Sequence, residues 1–302
     1  MKPTYLLGGA LVAALFAGTA NAEELTGTLK NIKDSGAITL GFRDASIPFS
    51  YLDDSQKPVG FAMDICYKIV DAVKKELKLD KLEVKLAPVT SSNRIPLLAN
   101  GTVDLECGST TNNAEREKQV SFTITHFVTA NKFVSKKSSN LKTVDDLKGK
   151  TIVSTSGTTN IKQITEIGAQ RHLDLNIIAA NDHAEAFLMV ETGRAAAFVM
   201  DDILLYSLVA TSKSPGDYVI STDPLSVEPY GIMLRRDDPA FKKAVDAEMV
   251  ATYKSGAINA IYEQWFLKPI PPKGINLNVP MSASFKKVIA DPTDTGDPAW
   301  YK

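Results

Sequence analysis

A group of small hydroxyl side chains and an arginine follows a predicted strand in the first half of the chain. The strand covers residues 102–105 and runs into residues 106–113, and Arg116 lies on the first turn of a short predicted helix. Free backbone N–H groups at the helix start, hydroxyl groups and a guanidinium can together bind a carboxylate. Helix capping is the alternative, because Asn112 followed by Glu115 has the spacing of a capping box. Both interpretations fit this segment taken alone.

Polar side chains also follow the other predicted strands. They stand after strands 37–42, 82–88, 151–154, 175–179 and 195–200, and each taken alone could be a surface charge or a helix cap. The carboxyl ends of strands in a doubly wound sheet lie at the edge where ligands bind. The convergence of so many candidates therefore favours a binding site, for which the candidates are Arg43, Ser91, Arg94, Ser109, Thr111, Arg116, Thr155, Thr158, Thr159, His183 and Asp201.

The elements that must position these residues alternate between strand and helix. This alternation predicts parallel sheets flanked by helices, and a chain of 302 residues is too long for one small core. Residues 130–136 and 218–222 look extended and are predicted to be two crossing strands. The predicted division is a first lobe over 23–130, a second lobe over 131–221, and a return to the first lobe with a C-terminal tail over 222–302. A cleft between hinged lobes is the expected site.

The N-terminus has the pattern of a signal peptide over residues 1–22. Lys2 supplies the charge, residues 6–16 are apolar, and residues 20–22 fit the small-residue cleavage rule. We therefore expect cleavage after Ala22 and a periplasmic protein. The net charge of −1 gives no electrostatic reason to expect nucleic acid or an anionic membrane as a partner.

Two cysteines and three histidines offer little further chemistry. In an oxidising compartment Cys66 and Cys107 could form a disulfide, but both could equally be buried core thiols. The histidines lack metal-ligand spacing, so neither a metal nor a cofactor is predicted.

Several motifs in order resemble one family. They lie at residues 41–51, 90–98, 106–113, 155–159, 200–202 and 269–273. Together they resemble the solute-binding proteins of polar amino-acid ABC transporters, and the glutamate/aspartate-binding members in particular. The resemblance covers nearly all of the chain after the signal peptide. It implies an α/β, two-lobe periplasmic binding protein fold of type II, in which each lobe is a sheet flanked by helices and the chain crosses the hinge twice.

The resemblance also implies roles for the candidate residues. Arg116, helped by Thr111, Thr158 and Thr159, would bind the α-carboxylate of the ligand, and Asp201 and Ser109 would bind its α-ammonium. The side-chain carboxylate would be bound by Arg43, Ser91, Arg94 and His183. Glu106 or Asp44 could offset the surplus positive charge of the three arginines.

The residues and the resemblance together predict a monomeric, non-enzymatic receptor that closes on L-glutamate or L-aspartate and, as the resemblance implies, docks on the membrane permease subunits of an ABC transporter. A dehydratase of cyclohexadienyl compounds, which uses a similar fold, is the enzyme alternative. The arginine-rich edge without an obvious aromatic slot argues against it. A sensor that reports to a chemoreceptor is the other alternative.

Overall fold

The computed structural model describes residues 25–302, so the predicted signal peptide and its cleavage site lie outside the described residues. The strands are β1 (Ala37–Phe42), β2 (Ala45–Ser46), β3 (Ser50–Leu52), β4 (Pro58–Val59), β5 (Glu83–Pro88), β6 (Leu105–Glu106), β7 (Val120–Phe122), β8 (Phe127–Lys136), β9 (Thr151–Thr155), β10 (Asn176–Ala180), β11 (Ala197–Asp201), β12 (Tyr218–Ile220), β13 (Ser226–Tyr230) and β14 (Met233–Arg235).

Helices separate most of these strands. They are α1 (Gly27–Ser35), α2 (Phe61–Glu76), α3 (Arg94–Ala99), α4 (Thr159–Gln170), α5 (His183–Glu191), α6 (Asp202–Thr211), α7 (Pro239–Lys254), α8 (Ala257–Tyr262) and α9 (Ala283–Ala290). Within residues 25–302, no helix has the length and apolar character needed to span a bilayer.

Two sheets organise the molecule, and each is mixed rather than parallel. The first lobe is built on a sheet of order β5-β1-β6-β14-β7, and the second lobe on a sheet of order β10-β9-β11-β8-β12 with β13 also paired to β8. The strands that precede the candidate residues are parallel, as predicted. The prediction is wrong for β8 and β14, which are antiparallel to their neighbours because the chain enters each sheet from the other lobe.

The second predicted crossing strand is wrong. Residues 218–220 form β12, which pairs with the distal half of β8 and stays in the second sheet. β13 instead pairs with the first half of β8, from Phe127↔Tyr230 to Asn131↔Ser226, and then leads through Gly231 into β14 of the first sheet. The adjacent strands β8 and β13 therefore join the lobes. The lobe boundaries after residues 130 and 221 stay a prediction.

Aromatic side chains pack where the crossing strands meet the first lobe. The ring of Phe127 at the start of β8 lies 4.9 Å from that of Phe49 and 5.0 Å from that of Phe266. The tail beyond residue 269 also contributes a helix, α9, that the sequence did not indicate, and its Phe285 is buried in the same core. Offset and edge-on aromatic pairs contribute stability beyond their buried area, so this cluster stabilises the base of the hinge.

The structure joins Cys66 on α2 to Cys107 at the end of β6, with 6.2 Å between the Cα atoms. We expect the double variant Cys66→Ala/Cys107→Ala to lose about 2–4 kcal/mol of unfolding free energy, because the bridge constrains the unfolded chain. Denaturant unfolding checks this, and the mass of non-reduced protein should lie about two hydrogens below that of the reduced form. Equal stability of the two proteins would contradict the prediction.

Candidate functional site

The candidate residues converge on one region between the two sheets. Most of them are buried, while Thr158 and Thr159 are half-buried. A narrow cavity at this point is lined by Ser91, Arg94, Ser109, Thr111, Arg116, Thr158, Thr159, His183 and Asp201. Arg43 and Thr155 do not line it, although both are buried beside residues that do. Asn160, Met200 and Leu204 complete the lining.

Arg116 connects the two lobes. Its Nη1 donates to the carbonyl oxygen of Thr111 at 2.8 Å, and its Nη2 donates to that of Gly157, at the start of the second-lobe loop before α4, at 3.1 Å. The predicted cap is shifted by one residue, since Asn113 and not Asn112 accepts the backbone N–H groups of Glu115 and Arg116. An Asn side chain reaches N–H groups two and three residues ahead, which fits position 113. The guanidinium is thereby fixed at the cavity wall.

Arg94 is held by polar groups of the first lobe. Its Nη1 donates to the hydroxyl of Thr110 and lies 3.8 Å from Oε1 of the buried Glu106. Glu106 in turn accepts a 2.6 Å hydrogen bond from Thr110. Glu106 is therefore the acid that offsets this arginine, whereas Asp44 is exposed. A buried arginine needs such a partner because an isolated buried charge is very costly.

The arginines repel one another inside the protein. Burial, followed by the charge of Arg94, lowers the pKa of Arg43 to about 10, and the same two causes lower that of Arg116 to about 10. Nη1 of Arg43 has no hydrogen-bond partner among residues 25–302. An anion bound near these groups would relieve the repulsion and supply the missing acceptor.

His183 lies beside this positive region and is neutral. Burial and then the charges of Arg43 and Arg94 lower its pKa well below the ordinary value. Its Nδ1 is 2.8 Å from the hydroxyl of Thr155, which fixes the ring. Nε2 of His183 and Oγ of Ser91 lack partners within the described part of the chain. Buried polar atoms normally have partners, so these two are available to a ligand.

Asp201 supplies an acid at the opposite sheet. Its Oδ1 accepts from Nδ2 of Asn160 at 2.7 Å and its Oδ2 accepts from the hydroxyl of Tyr230. Burial and then the charge of Glu228 raise its pKa to about 7. Glu228 is itself buried, and it accepts from Thr159 and Gln163 at 2.9 and 2.7 Å. The acid can hold a cation, and a bound cation would favour its charged form.

Sequence reasoning missed Asn160, Thr110, Tyr230 and Glu228. Thr110 lies within a predicted motif and Asn160 directly follows one, so both could have been included as site candidates from the sequence. Tyr230 and Glu228 reach the site through the pairing of β13 with β8, which has no local signature in the sequence.

Among residues 25–302, no group of three or more His, Cys, Asp or Glu side chains could hold a metal ion. The site offers cationic donors and one acid, which suits a small ligand carrying both carboxylate and ammonium groups.

Curated relatives match the chain over almost its whole length. It is 55% identical to the L-glutamate/L-aspartate-binding protein of Pseudomonas aeruginosa over 290 residues, which is 96% of each chain. It is 44% identical to the glutamate/aspartate import solute-binding protein of Escherichia coli, covering 94% of this chain and 95% of the relative.

A solved structure and a family profile agree with these relatives. The crystal structure of an ancestral amino acid-binding protein, a precursor of cyclohexadienyl dehydratase, superposes with a TM-score of 0.66 at 29% identity, covering 79% of this chain and 99% of that one. The fold is that of the type II periplasmic binding proteins. Residues 38–268 match the profile of the bacterial extracellular solute-binding proteins, family 3. The chain therefore belongs to family 3 of the bacterial extracellular solute-binding proteins.

Proposed function

We propose that this protein is a periplasmic receptor, active as a monomer after removal of residues 1–22, that captures L-glutamate or L-aspartate and delivers it to the permease subunits of an ABC importer. The two relatives described above carry glutamate and aspartate in their names. Closure of the lobes around the ligand is the capture step. The contacts from Thr158, Thr159, His183 and Asp201 favour the closed state, since only contacts that differ between two states can shift their balance.

One observation carries this proposal. Unpartnered polar atoms of Arg43, Ser91 and His183 are buried in one positively charged region of the described chain. A second carboxylate on the ligand would give them acceptors. A neutral amide would present donor hydrogens to this set, which leaves desolvated donors poorly paired. The ligand class with two carboxylates and one ammonium group fits this arrangement best.

Each candidate residue has a role in this proposal. Arg116, with Thr111, Thr158 and Thr159, binds the α-carboxylate, while Asp201 and Ser109 bind the α-ammonium group. The side-chain carboxylate is bound by Arg43, Ser91, Arg94 and His183. Thr155 acts on His183 through its 2.8 Å hydrogen bond and does not line the cavity. A guanidinium suits each carboxylate because its planar donors match two oxygens.

The enzyme alternative is not favoured. A dehydratase acting on a cyclohexadienyl ring would need an apolar slot beneath a general acid. Among the cavity-lining residues of the described chain, Met200 and Leu204 are the apolar ones, and neither is aromatic. A chemoreceptor is the other possible partner, and it would recognise the same closed, ligand-bound form. A strain that lacks this protein distinguishes the two partners. Loss of glutamate uptake indicates the importer, and loss of chemotaxis towards glutamate indicates the chemoreceptor.

Thermal unfolding with a panel of amino acids tests the ligand class. Ligand-stripped protein should gain its largest increase in Tm with L-glutamate and L-aspartate, because a ligand at about 100 times its Kd stabilises the native state by about 2.7 kcal/mol. L-Glutamine and L-asparagine should give much smaller shifts at the same concentration. A larger shift with L-lysine or L-arginine, or equal shifts with glutamine and glutamate, would contradict the proposal.

Arg94→Ala should weaken acidic ligands selectively. Removing one member of a buried charge pair costs about 2–5 kcal/mol, so glutamate and aspartate affinity should fall at least about 30-fold, and that of glutamine less. Arg94→Ala also leaves the buried carboxylate of Glu106 without its cationic partner. The double variant Arg94→Ala/Glu106→Gln removes that unpaired charge, so it separates the loss of the ligand contact from the effect of an unpaired Glu106. Calorimetry on both variants checks this. Unchanged glutamate affinity would mean that the side-chain pocket lies elsewhere.

A further inference from the structure

Tyr230 ends the crossing strand β13 and is completely buried. Its ring centroid lies 5.2 Å from that of Phe49 and 6.2 Å from that of Phe127, both in the aromatic cluster at the base of the hinge. Packing against these two rings holds the ring of Tyr230 in one position. The hydroxyl at its tip donates to Oδ2 of Asp201. Tyr230 does not itself line the cavity.

The backbone around Tyr230 is tied to the loop that carries the carboxylate-binding residues. Tyr230 forms an isolated bridge with Thr111, the N–H of Asn112 donates to the carbonyl of Pro229 at 2.7 Å, and the N–H of Gly231 donates to that of Thr110 at 3.0 Å. Tyr230 therefore connects the loop before Arg116, in the first lobe, with the acid at the end of β11, in the second lobe.

The two oxygens of Asp201 are held from different sides. Asn160, on the first turn of α4, donates to Oδ1 at 2.7 Å, and Tyr230 donates to Oδ2. A carboxylate has about four acceptor positions, so both oxygens keep capacity for a ligand ammonium group. Each donor also favours the ionised form, which is the form that binds a cation.

We infer that Tyr230 is the positioning residue for ammonium recognition: its hydroxyl orients Asp201 towards the cavity and links ammonium binding to the loop that binds the α-carboxylate. This inference rests on the proposed function, because it presupposes an α-amino-acid ligand. It adds a residue that never touches the ligand but determines how strongly the site requires an α-ammonium group.

The charges around Asp201 make its ionisation sensitive to this one bond. Burial raises its pKa most, Glu228 and Asp202 raise it further, and the hydrogen bonds from Tyr230 and Asn160 lower it, with a resulting pKa of about 7. Arg94 and Arg116 lie close enough to interact electrostatically with Asp201. A folded-state pKa near 7 means that glutamate affinity should rise with pH through about 7 and level off above it. Loss of the tyrosine hydroxyl should move that rise to higher pH.

Tyr230→Phe tests the inference because it removes the hydroxyl and keeps the ring. Calorimetry should compare L-glutamate with glutarate, which has both carboxylates but lacks the ammonium group. A hydrogen bond to a charged group predicts that glutamate binds roughly 10- to 100-fold more weakly to the variant, while glutarate changes by less than about threefold. Tyr253→Phe is the matched control, because Tyr253 is also buried and donates to the carbonyl of Thr125 away from the cavity.

The pH profile of glutamate binding is the second measurement, between about pH 5.5 and about pH 8.5, where the carboxylates and ammonium of the ligand keep their charges. The Tyr230→Phe profile should be displaced to higher pH, and the Tyr253→Phe profile should match that of the unsubstituted protein. An unchanged profile, or an equal loss for glutamate and glutarate, overturns the inference. If the unsubstituted protein binds glutamine as well as glutamate, the proposed function fails instead, whatever Tyr230→Phe does.

Discussion

Arg116→Ala is expected to abolish binding of every amino acid at ordinary ligand concentrations. The guanidinium is almost fully buried, and its two terminal nitrogens donate to carbonyl oxygens of both lobes. Its proposed partner, the α-carboxylate, is common to all amino acids. The variant thus loses a charge-assisted contact with the ligand and a contact that closes the cleft. Loss of a buried hydrogen-bonded charge costs about 2–5 kcal/mol, which is roughly 30- to several thousand-fold in Kd.

Arg171→Ala is the matched control for Arg116→Ala. Arg171 follows α4 and is exposed in an ion pair with Asp145, at the end of the helix remote from the cavity. Exposed pairs contribute about 0–1 kcal/mol to stability, so this variant should bind glutamate normally. Calorimetry with glutamate, aspartate and glutamine compares the two. If Arg116→Ala loses affinity for glutamate but keeps it for glutamine, Arg116 binds the side chain and the assigned orientation of the ligand is reversed.

Gly157→Ala is expected to prevent full closure of the lobes. Gly157 has φ of +75°, and a Cβ there would lie 2.6 Å from both the carbonyl oxygen of Ser91 and Cα of Ser92, across the cleft in the first lobe. Backbone atoms cannot move aside as a flexible side chain can. Overpacking of this kind costs about 1–3 kcal/mol, so glutamate affinity should fall by about tenfold or more. Small-angle scattering with saturating glutamate should give a larger radius of gyration for the variant than for the unsubstituted protein.

Gly193→Ala separates closure from backbone strain. Gly193 lies in the same lobe with the same φ of +75°, and no described atom beyond its chain neighbours lies within 4 Å of a Cβ placed there. The left-handed conformation costs an alanine about 1–2 kcal/mol at either position. Both variants should therefore lose similar stability, while Gly193→Ala keeps its affinity. Equal affinities of the two variants would show that contact between Gly157 and residues 91–92 does not limit closure.

The strand ends that carry the site could be predicted from sequence because the signal is local. The first strand has the predicted bounds, Ala37–Phe42, and Arg43 follows it directly. The turn at Gly157 and the cap at Thr158 were likewise visible as a strand followed by glycine and hydroxyl residues, and Thr158 accepts from the N–H of Ile161. Such motifs combine hydrophobic periodicity with turn and cap chemistry over a few residues.

The crossing strand β13 could not be predicted in the same way. It contains Glu228 and Pro229 in succession, which is a poor strand pattern, since proline cannot donate to a ladder and is confined to edges. Glu228 is nevertheless buried because Thr159 and Gln163 of the second lobe donate to its carboxylate, as does Ser226 of the same strand. The prediction that residues 218–222 cross the hinge rested on their extended appearance, and it did not foresee these hydrogen bonds from the second lobe. For the same reason, the charge of Glu228 was not among the site charges predicted from the sequence.

Calorimetric titration of ligand-stripped protein with L-glutamate, L-aspartate, L-glutamine and L-asparagine tests the central claim most directly. The account predicts one binding site per chain, with each acidic amino acid bound at least about 100-fold more tightly than its amide, because a site built to pair a charged group rejects an analogue that leaves its donors unpaired. Comparable affinities for an acid and its amide, or tight binding of a basic amino acid instead, would contradict it.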